Sequence, residues 1–167
     1  MATNIRNSNA DLSLSAAARQ RLRNRETVRG YYNDMGGNRG NCTYGIGILV
    51  HRGPCTEEEL QRPLSVTQIE TSFSAALRDA KSAVRRSVTH QSLTQEQFDG
   101  LVSYVYNTGA NGATRTLQLI DRGRLGEAAD VMLRNIRTTI GGRRVSAHGL
   151  IARRREESAP FLDARQE

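Results

Sequence analysis

The chain has 167 residues, 37% of them hydrophobic and 25% charged, which fits one globular domain or a large lobe with a small one and excludes a disordered chain. No apolar run approaches the ~20 residues of a transmembrane helix, and the opening MATNIRNSNADLSLS lacks the apolar core of a cleaved secretory signal. The formal net charge of +7 comes from 24 basic residues, all Arg except Lys81. Such a surface suits nucleic acid, anionic lipid or an anionic cell wall, or is simply a solvated basic face.

In chain order, residues 1–12 read as a frayed polar segment. From Ser15 the string SAAARQRLRNRETVRG is helical, with Ala18 and Leu22 on adjacent turns and Gly30 as its stop. YYNDMGGNRGNCTYGIGILV follows, with turn chemistry at Asn33-Asp34, Gly36-Gly37 and Arg39-Gly40-Asn41. Tyr31-Tyr32 and the run from Cys42 to Val50 are β-prone and predict an antiparallel hairpin or a three-stranded sheet.

After Cys55 the chain reads as helix. Thr56-x-x-Glu59, Thr67-x-x-Glu70 and Thr94-x-x-Gln97 are capping-box patterns. Ile69, Phe73, Ala76, Leu77, Ala80, Val84 and Val88 trace one apolar face at helical spacing, and Phe98, Leu101, Val102, Val105 and Tyr106 trace another. Asn107-Thr108-Gly109 ends that second helix. Helical segments near 113–122 and 125–137, a loop at Gly141-Gly142 and a basic helix from His148 past Phe161 complete the chain, with Pro160 set to end or bend the last. The expected architecture is α+β, mostly α.

The two cysteines, Cys42 and Cys55, are either free buried thiols or one bridge closing a short loop. Two sulfurs make no zinc site, which takes about four ligands, and His51, His90 and His148 show no metal spacing with them.

Glu26 near the end of the first helix, Asp34 in the turn beyond it and Thr43 in the sheet form a possible acid–base set. One carboxyl would give a proton to a leaving glycosidic oxygen. The second would steady positive charge on the sugar or activate a water, with the Thr hydroxyl orienting that water. Two carboxylates and a Thr are otherwise ordinary surface residues.

The wider string LRNRETVRGYYNDMGGNRGNCTYGIG resembles the active-site region of phage-type, T4-like lysozymes. Leu22 to Glu26 matches the helix end, Tyr32-Asn33-Asp34 the turn, and Thr43-Tyr44-Gly45-Ile46-Gly47 the hairpin. QFDGLVSYVYNTG, GRLGEAADVML and GLIARRREESAPFL are similar to downstream segments of the same family, so the resemblance runs in order over roughly residues 15–162.

It implies a lysozyme-like fold, with a small β-lobe at about 31–60, a helical lobe at about 61–163 and a cleft between them, all within a single catalytic domain at 13–167. It implies muramidase activity on peptidoglycan, with Glu26 as general acid and Asp34 with Thr43 handling charge or water. Asn107 would bind sugar or cap its helix, and Tyr32 would stack on sugar or fill the core. No metal or organic cofactor is implied. The Cys pair looks like a subgroup feature, where a bridge would pin the strand carrying Thr43.

Seven residues separate Glu26 from Asp34 and eight separate Asp34 from Thr43, shorter and longer respectively than is usual in the family. Ile48 stands where many members carry a His. These departures keep open action on chitin or chitosan, or wall binding alone. A nucleic-acid binder is disfavoured because the arginines are spread along the chain and aromatics are 5%.

Of Arg153, Arg154 and Arg155, at least one is expected to pair with Glu26, Glu156 or Glu157, the rest being solvated. The expected setting is a monomer made in the cytoplasm that acts in the periplasm or wall of a target bacterium. A holin or a secretion system would deliver it, and an immunity protein is expected if it is an injected effector.

Overall fold

A computed structural model describes residues 8–25, 29–45, 47–140 and 143–162. The chain folds as two compact units. One comprises the N-terminus through Ala18, Asp79–Ile136 and the stretch from His148; the other comprises Arg19–Arg78 and Arg137–Ala147. Among the described residues, no helix is long and apolar enough to cross a membrane.

The second unit holds the sheet. Helix α1 (Ala16–Arg25) ends before Gly30, which lies inside strand β1 (Arg29–Asn33) rather than stopping the helix. Arg29 pairs with Gly45 while Tyr31 pairs with Tyr44, so Gly30 is the extra residue of a β-bulge. Strands β2 (Cys42–Gly45) and β3 (Ile48–His51) complete an antiparallel sheet of order β1-β2-β3, with the hairpin turn inside the predicted β-prone run.

Opposed residues share a face. Tyr31 and Tyr44 therefore meet at 5.6 Å between ring centroids, and Tyr32 stands opposite Thr43. The Tyr44 hydroxyl also contacts the Ser72 hydroxyl at 2.7 Å.

Cys42 and Cys55 are bridged, their Cα atoms 4.5 Å apart. The bridge joins residues 13 apart in sequence, a closure worth about 3 kcal/mol in the chain-entropy account. Helix α2 (Glu57–Gln61) begins directly after it, with the predicted Thr56–Glu59 capping box in place.

Helix α3 (Val66–Ser87) starts one residue before Thr67, so its N-terminal box is not the predicted Thr67–Glu70. Ser65 and Gln68 exchange side-chain-to-backbone bonds of 2.8 and 3.1 Å instead. A box needs its first residue outside the helix, and Thr67 is inside it. The apolar stripe is otherwise as read: Ile69, Phe73, Leu77, Ala80, Val84 and Val88 are buried, with Ala76 at its margin.

The first unit packs the remaining helices. Helix α4 (Gln95–Asp121) carries the Thr94–Gln97 box and breaks at Gly109, whose φ of 75° and ψ of 159° lie outside the helical range. Glycine takes that positive φ without penalty. The predicted stop at Asn107–Gly109 is thus a break, after which the chain turns helical again to Asp121.

Helix α5 (Leu125–Arg134) ends before 137. Residues 137–146 form strands β4 (Arg137–Ile140) and β5 (Arg143–Ser146), a hairpin absent from the sequence reading. Thr138, Thr139 and Ile140 ahead of Gly141-Gly142 are its signal, since β-branched residues before a two-glycine turn favour a hairpin. The predicted Gly-Gly loop itself falls outside the described residues. Helix α6 (Leu150–Leu162) continues two residues past Pro160 before it ends.

Residues 8–12, read as part of a frayed segment, are fastened. Asn9 is fully buried, donates to the Val88 and Gln91 carbonyls and accepts from the Leu93 N–H at 2.9 Å. The Arg85 guanidinium donates to the Leu12 carbonyl.

Candidate active site

Glu26 lies outside the described residues. Asp34 and Thr43 are both placed, and one residue joins them. Asp34 follows the end of β1, where its N–H donates to the Asn41 carbonyl at 3.1 Å. The Asn41 backbone N–H returns a bond to Asp34 Oδ1 at 2.8 Å, and the Asn41 side-chain amide donates to Oδ2 at 3.2 Å. Thr43, 4% exposed, donates from its hydroxyl to that same Asn41 carbonyl at 3.3 Å. Asn41 Oδ1 accepts from the Gly53 N–H at 3.2 Å, which ties the node to the loop leading to Cys55.

The result is an exposed carboxylate with each oxygen fixed by one donor. A carboxylate oxygen has two acceptor sites, so each keeps one for a further donor. Asn41 was missed from the sequence. Its position just before the strand reads only as generic turn chemistry.

Below this node, Asn33 is buried and its amide spans the loop. Its Nδ2 donates to the Gly37 carbonyl at 2.7 Å and its Oδ1 accepts from the Cys55 N–H at 2.7 Å. The carbonyl oxygen of Tyr32, a half-buried residue, lies 3.4 Å from the bridged Cys55 Sγ.

On the far side of the bridge His51 Nε2 lies 3.1 and 3.0 Å from the two Glu59 oxygens, and its Nδ1 lies 3.1 Å from the Arg52 carbonyl. Both ring nitrogens thus face acceptors. The Glu59 hydrogen bond, then the Arg52 carbonyl, raises the His51 imidazole above its ordinary value. The Thr56 backbone N–H, then His51, holds the Glu59 carboxyl below its own.

In the other unit Asn107 is exposed at the end of the first segment of α4, before Gly109. Arg154 donates from Nη2 to its Oδ1 at 2.5 Å. Arg154 is itself buried, bonded to the Asn135 carbonyl at 2.8 Å and to Glu157 Oε2 at 2.6 Å, and it lies over the Tyr104 ring. Arg153 takes the other Glu157 oxygen at 2.9 Å, which Ser103 also bonds at 2.6 Å. The pairing expected of this Arg run falls on Glu157 for two of the three, and Arg155 is exposed as anticipated. Further bonds help hold two guanidinium groups on one buried carboxylate: Arg153 Nη2 donates to the Ser103 carbonyl at 3.1 Å, beside the Arg154 bonds to Asn135 and Asn107.

The fold is α+β, mostly α, with a small antiparallel sheet and a helical unit, and it is lysozyme-like. The phage lysozyme family model matches residues 25–157, and the chain belongs to that family. It is thereby a lysozyme, a glycoside hydrolase of peptidoglycan.

Among solved structures it is similar to the endolysin of Escherichia coli O157:H7 phage FAHEc1, with a TM-score of 0.70, 25% identity, and coverage of 92% of this chain and 96% of that one. It is also similar to the muramidase domain of SpmX from Asticaccaulis excentricus, with a TM-score of 0.65, 25% identity and coverage of 90% and 98%. The endolysin Lyz of phage P1 in its active form shares the fold, with a TM-score of 0.66, 18% identity and coverage of 93% and 88%. Comparison with curated proteins found no match.

Proposed function

We propose that this protein is a muramidase that cleaves the β-1,4 bond between N-acetylmuramic acid and N-acetylglucosamine, with Glu26 as general acid. Asp34 accepts a proton from, or orients, the attacking water at the open lone pairs of its fixed carboxylate. Thr43 steadies that water through the hydroxyl it shares with the Asn41 carbonyl. Water attacks directly, without a covalent sugar–enzyme intermediate. Tyr32 lines the sugar path, and Asn107 donates from Nδ2, the one polar end that Arg154 leaves open.

The observation that carries this reading is the Asp34–Asn41–Thr43 node, which lies within the span matched by the family model. Donors and acceptors held in place beforehand cost no reorganisation during reaction. The site of action is the cell wall. Delivery through a holin or a secretion machine, with an immunity protein in the latter case, follows the same reading, as does a monomeric state.

The test is turbidity loss of purified peptidoglycan with wild type beside Glu26→Gln, and mass spectrometry of the fragments. Reducing muramic acid ends from wild type alone are expected. Anhydro ends would mean a lytic transglycosylase. Equal clearing by the folded variant would remove Glu26 from the acid role. Turnover of chitin but not peptidoglycan would move the substrate.

A further inference from the structure

Cys42 Sγ, His51 Nε2 and Glu59 Oε2 lie within 4.8 Å of one another, and Cys55 Sγ is bonded to the first of them. The sheet register makes this cluster: Cys42 pairs with His51 across β2 and β3, while the bridge and the capping box bring in Cys55 and Glu59. We propose that on reduction of the Cys42–Cys55 bridge these four side chains take up one Zn²⁺ in a structural site.

Several features fit a metal rather than an incidental ion pair. Tetrahedral zinc with sulfur at about 2.3 Å and nitrogen or oxygen at about 2.0–2.2 Å needs a sulfur–oxygen edge near 3.6 Å and a nitrogen–oxygen edge near 3.4 Å. Cys42 Sγ lies 3.7 Å from Glu59 Oε2, and His51 Nε2 lies 3.0 Å from it. The freed sulfurs would separate to about 3.8 Å, the sulfur–sulfur edge of the same tetrahedron.

The supporting bonds are also those of a ligand set. A metal-binding imidazole characteristically gives its other ring N–H to a carbonyl, and His51 Nδ1 faces the Arg52 carbonyl at 3.1 Å. Glu59 Oε2 is oriented by the Thr56 N–H at 2.7 Å. Two thiolates with an imidazole favour zinc over harder cations. The ion would stand in for the bridge, holding the strand that carries Thr43 to the start of α2.

The chemistry balances. A trialkylphosphine breaks the Sγ–Sγ bond, giving two electrons. Water supplies the oxygen of the phosphine oxide and the two protons of the thiols. Zn²⁺ then displaces those two protons, and any proton on His51 Nε2, to solvent.

The experiment reduces the full chain with a phosphine, adds Zn²⁺, desalts it and counts metal per chain beside the oxidised protein. Co²⁺ is titrated in parallel to read thiolate charge-transfer and tetrahedral d–d bands. About one zinc per reduced chain and none on the oxidised chain are expected, with affinity at least tenfold weaker in His51→Ala and Glu59→Gln. Reduced, folded protein that retains no zinc, octahedral cobalt without thiolate bands, or full affinity in both variants would each overturn the site. If reduction alone unfolds the second unit, zinc is expected to restore its circular dichroism, and failure to do so is equally decisive. None of these readouts depends on lytic activity.

Discussion

Asn41 grips both oxygens of Asp34, the backbone N–H at 2.8 Å from Oδ1 and the side-chain amide at 3.2 Å from Oδ2. Asn41→Ala keeps the first bond and loses the second, along with the acceptor for Gly53. Asp34 then swings about one fixed oxygen. Lytic rate is expected to fall about tenfold, equivalent to about 1.4 kcal/mol of barrier. KM on a soluble glycan should stay nearly constant, because the substrate contacts remain. Asn41→Asp should be worse, since it sets a like charge against Asp34. A KM rise with unchanged kcat would place Asn41 in binding instead.

Gly40 is the second constraint on Asp34. Its φ is +90°, and a Cβ there would fall on Asp34 Oδ1, with Met35 Cγ and N at 2.9 Å. Gly36, at φ +73°, has open space beside it. Each alanine substitution carries the left-handed backbone cost of about 1–2 kcal/mol, but only Gly40→Ala also displaces the carboxylate. Thermal melts should show Gly40→Ala as the less stable variant, and lysis should be lost in Gly40→Ala alone.

Arg154 occupies Asn107 Oδ1, and Asn107 is otherwise exposed. Asn107→Asp preserves the Arg154 bond and removes the Nδ2 donor. We expect an unchanged melting temperature and a KM raised severalfold, consistent with loss of one hydrogen bond of about 0.5–1.5 kcal/mol. An unchanged KM would reduce Asn107 to a helix cap.

Glu157 carries the charge balance of the helical unit. Glu157→Gln leaves Arg153 and Arg154, both almost fully buried, without their carboxylate. Breaking a buried pair from one side costs about 3–5 kcal/mol. Chemical denaturation should show a loss of that order, and a change under about 1 kcal/mol would mean that water reaches the pair.

Asp121 sets a pH dependence. Burial opposes its ionisation, but the N–H groups of His90 and Thr89 and the His90 ring outweigh that and hold the carboxyl below its ordinary 3.8. A depressed carboxyl contributes stability above 3.8 that is lost as pH falls through the folded value. Asp121→Asn should therefore melt below wild type at neutral pH, by a margin that solvent screening of these exposed bonds keeps small. The two curves should converge under acid.

The parts that local chemistry controls were legible in the chain. Apolar residues recurring at helical spacing marked the buried face of α3, and the capping boxes at Thr56–Glu59 and Thr94–Gln97 stood where predicted. β-branched and aromatic residues between glycines marked the sheet. The lysozyme family itself was readable from ordered motifs, since each is a local string. Where local signals competed, the reading failed. Thr67 and Ser65 both begin box patterns, and only the helix start chooses between them. Thr138–Ile140 sits at the end of a helical run, yet it pairs with Arg143–Val145 as strand, because β-branched residues favour the extended backbone.

Long-range bonds were not readable at all. Asn9 reaches across 79 residues to Val88, Arg154 across 47 to Asn107, and Cys55 across 22 to Asn33. Composition and spacing determined which residue types were available and which segments would be helix or strand, because periodicity and capping act within a few residues. Only the tertiary structure decided which oxygen meets which donor. That outcome depends on strand register and helix packing, and both are set by burial of the whole chain rather than by any stretch of it.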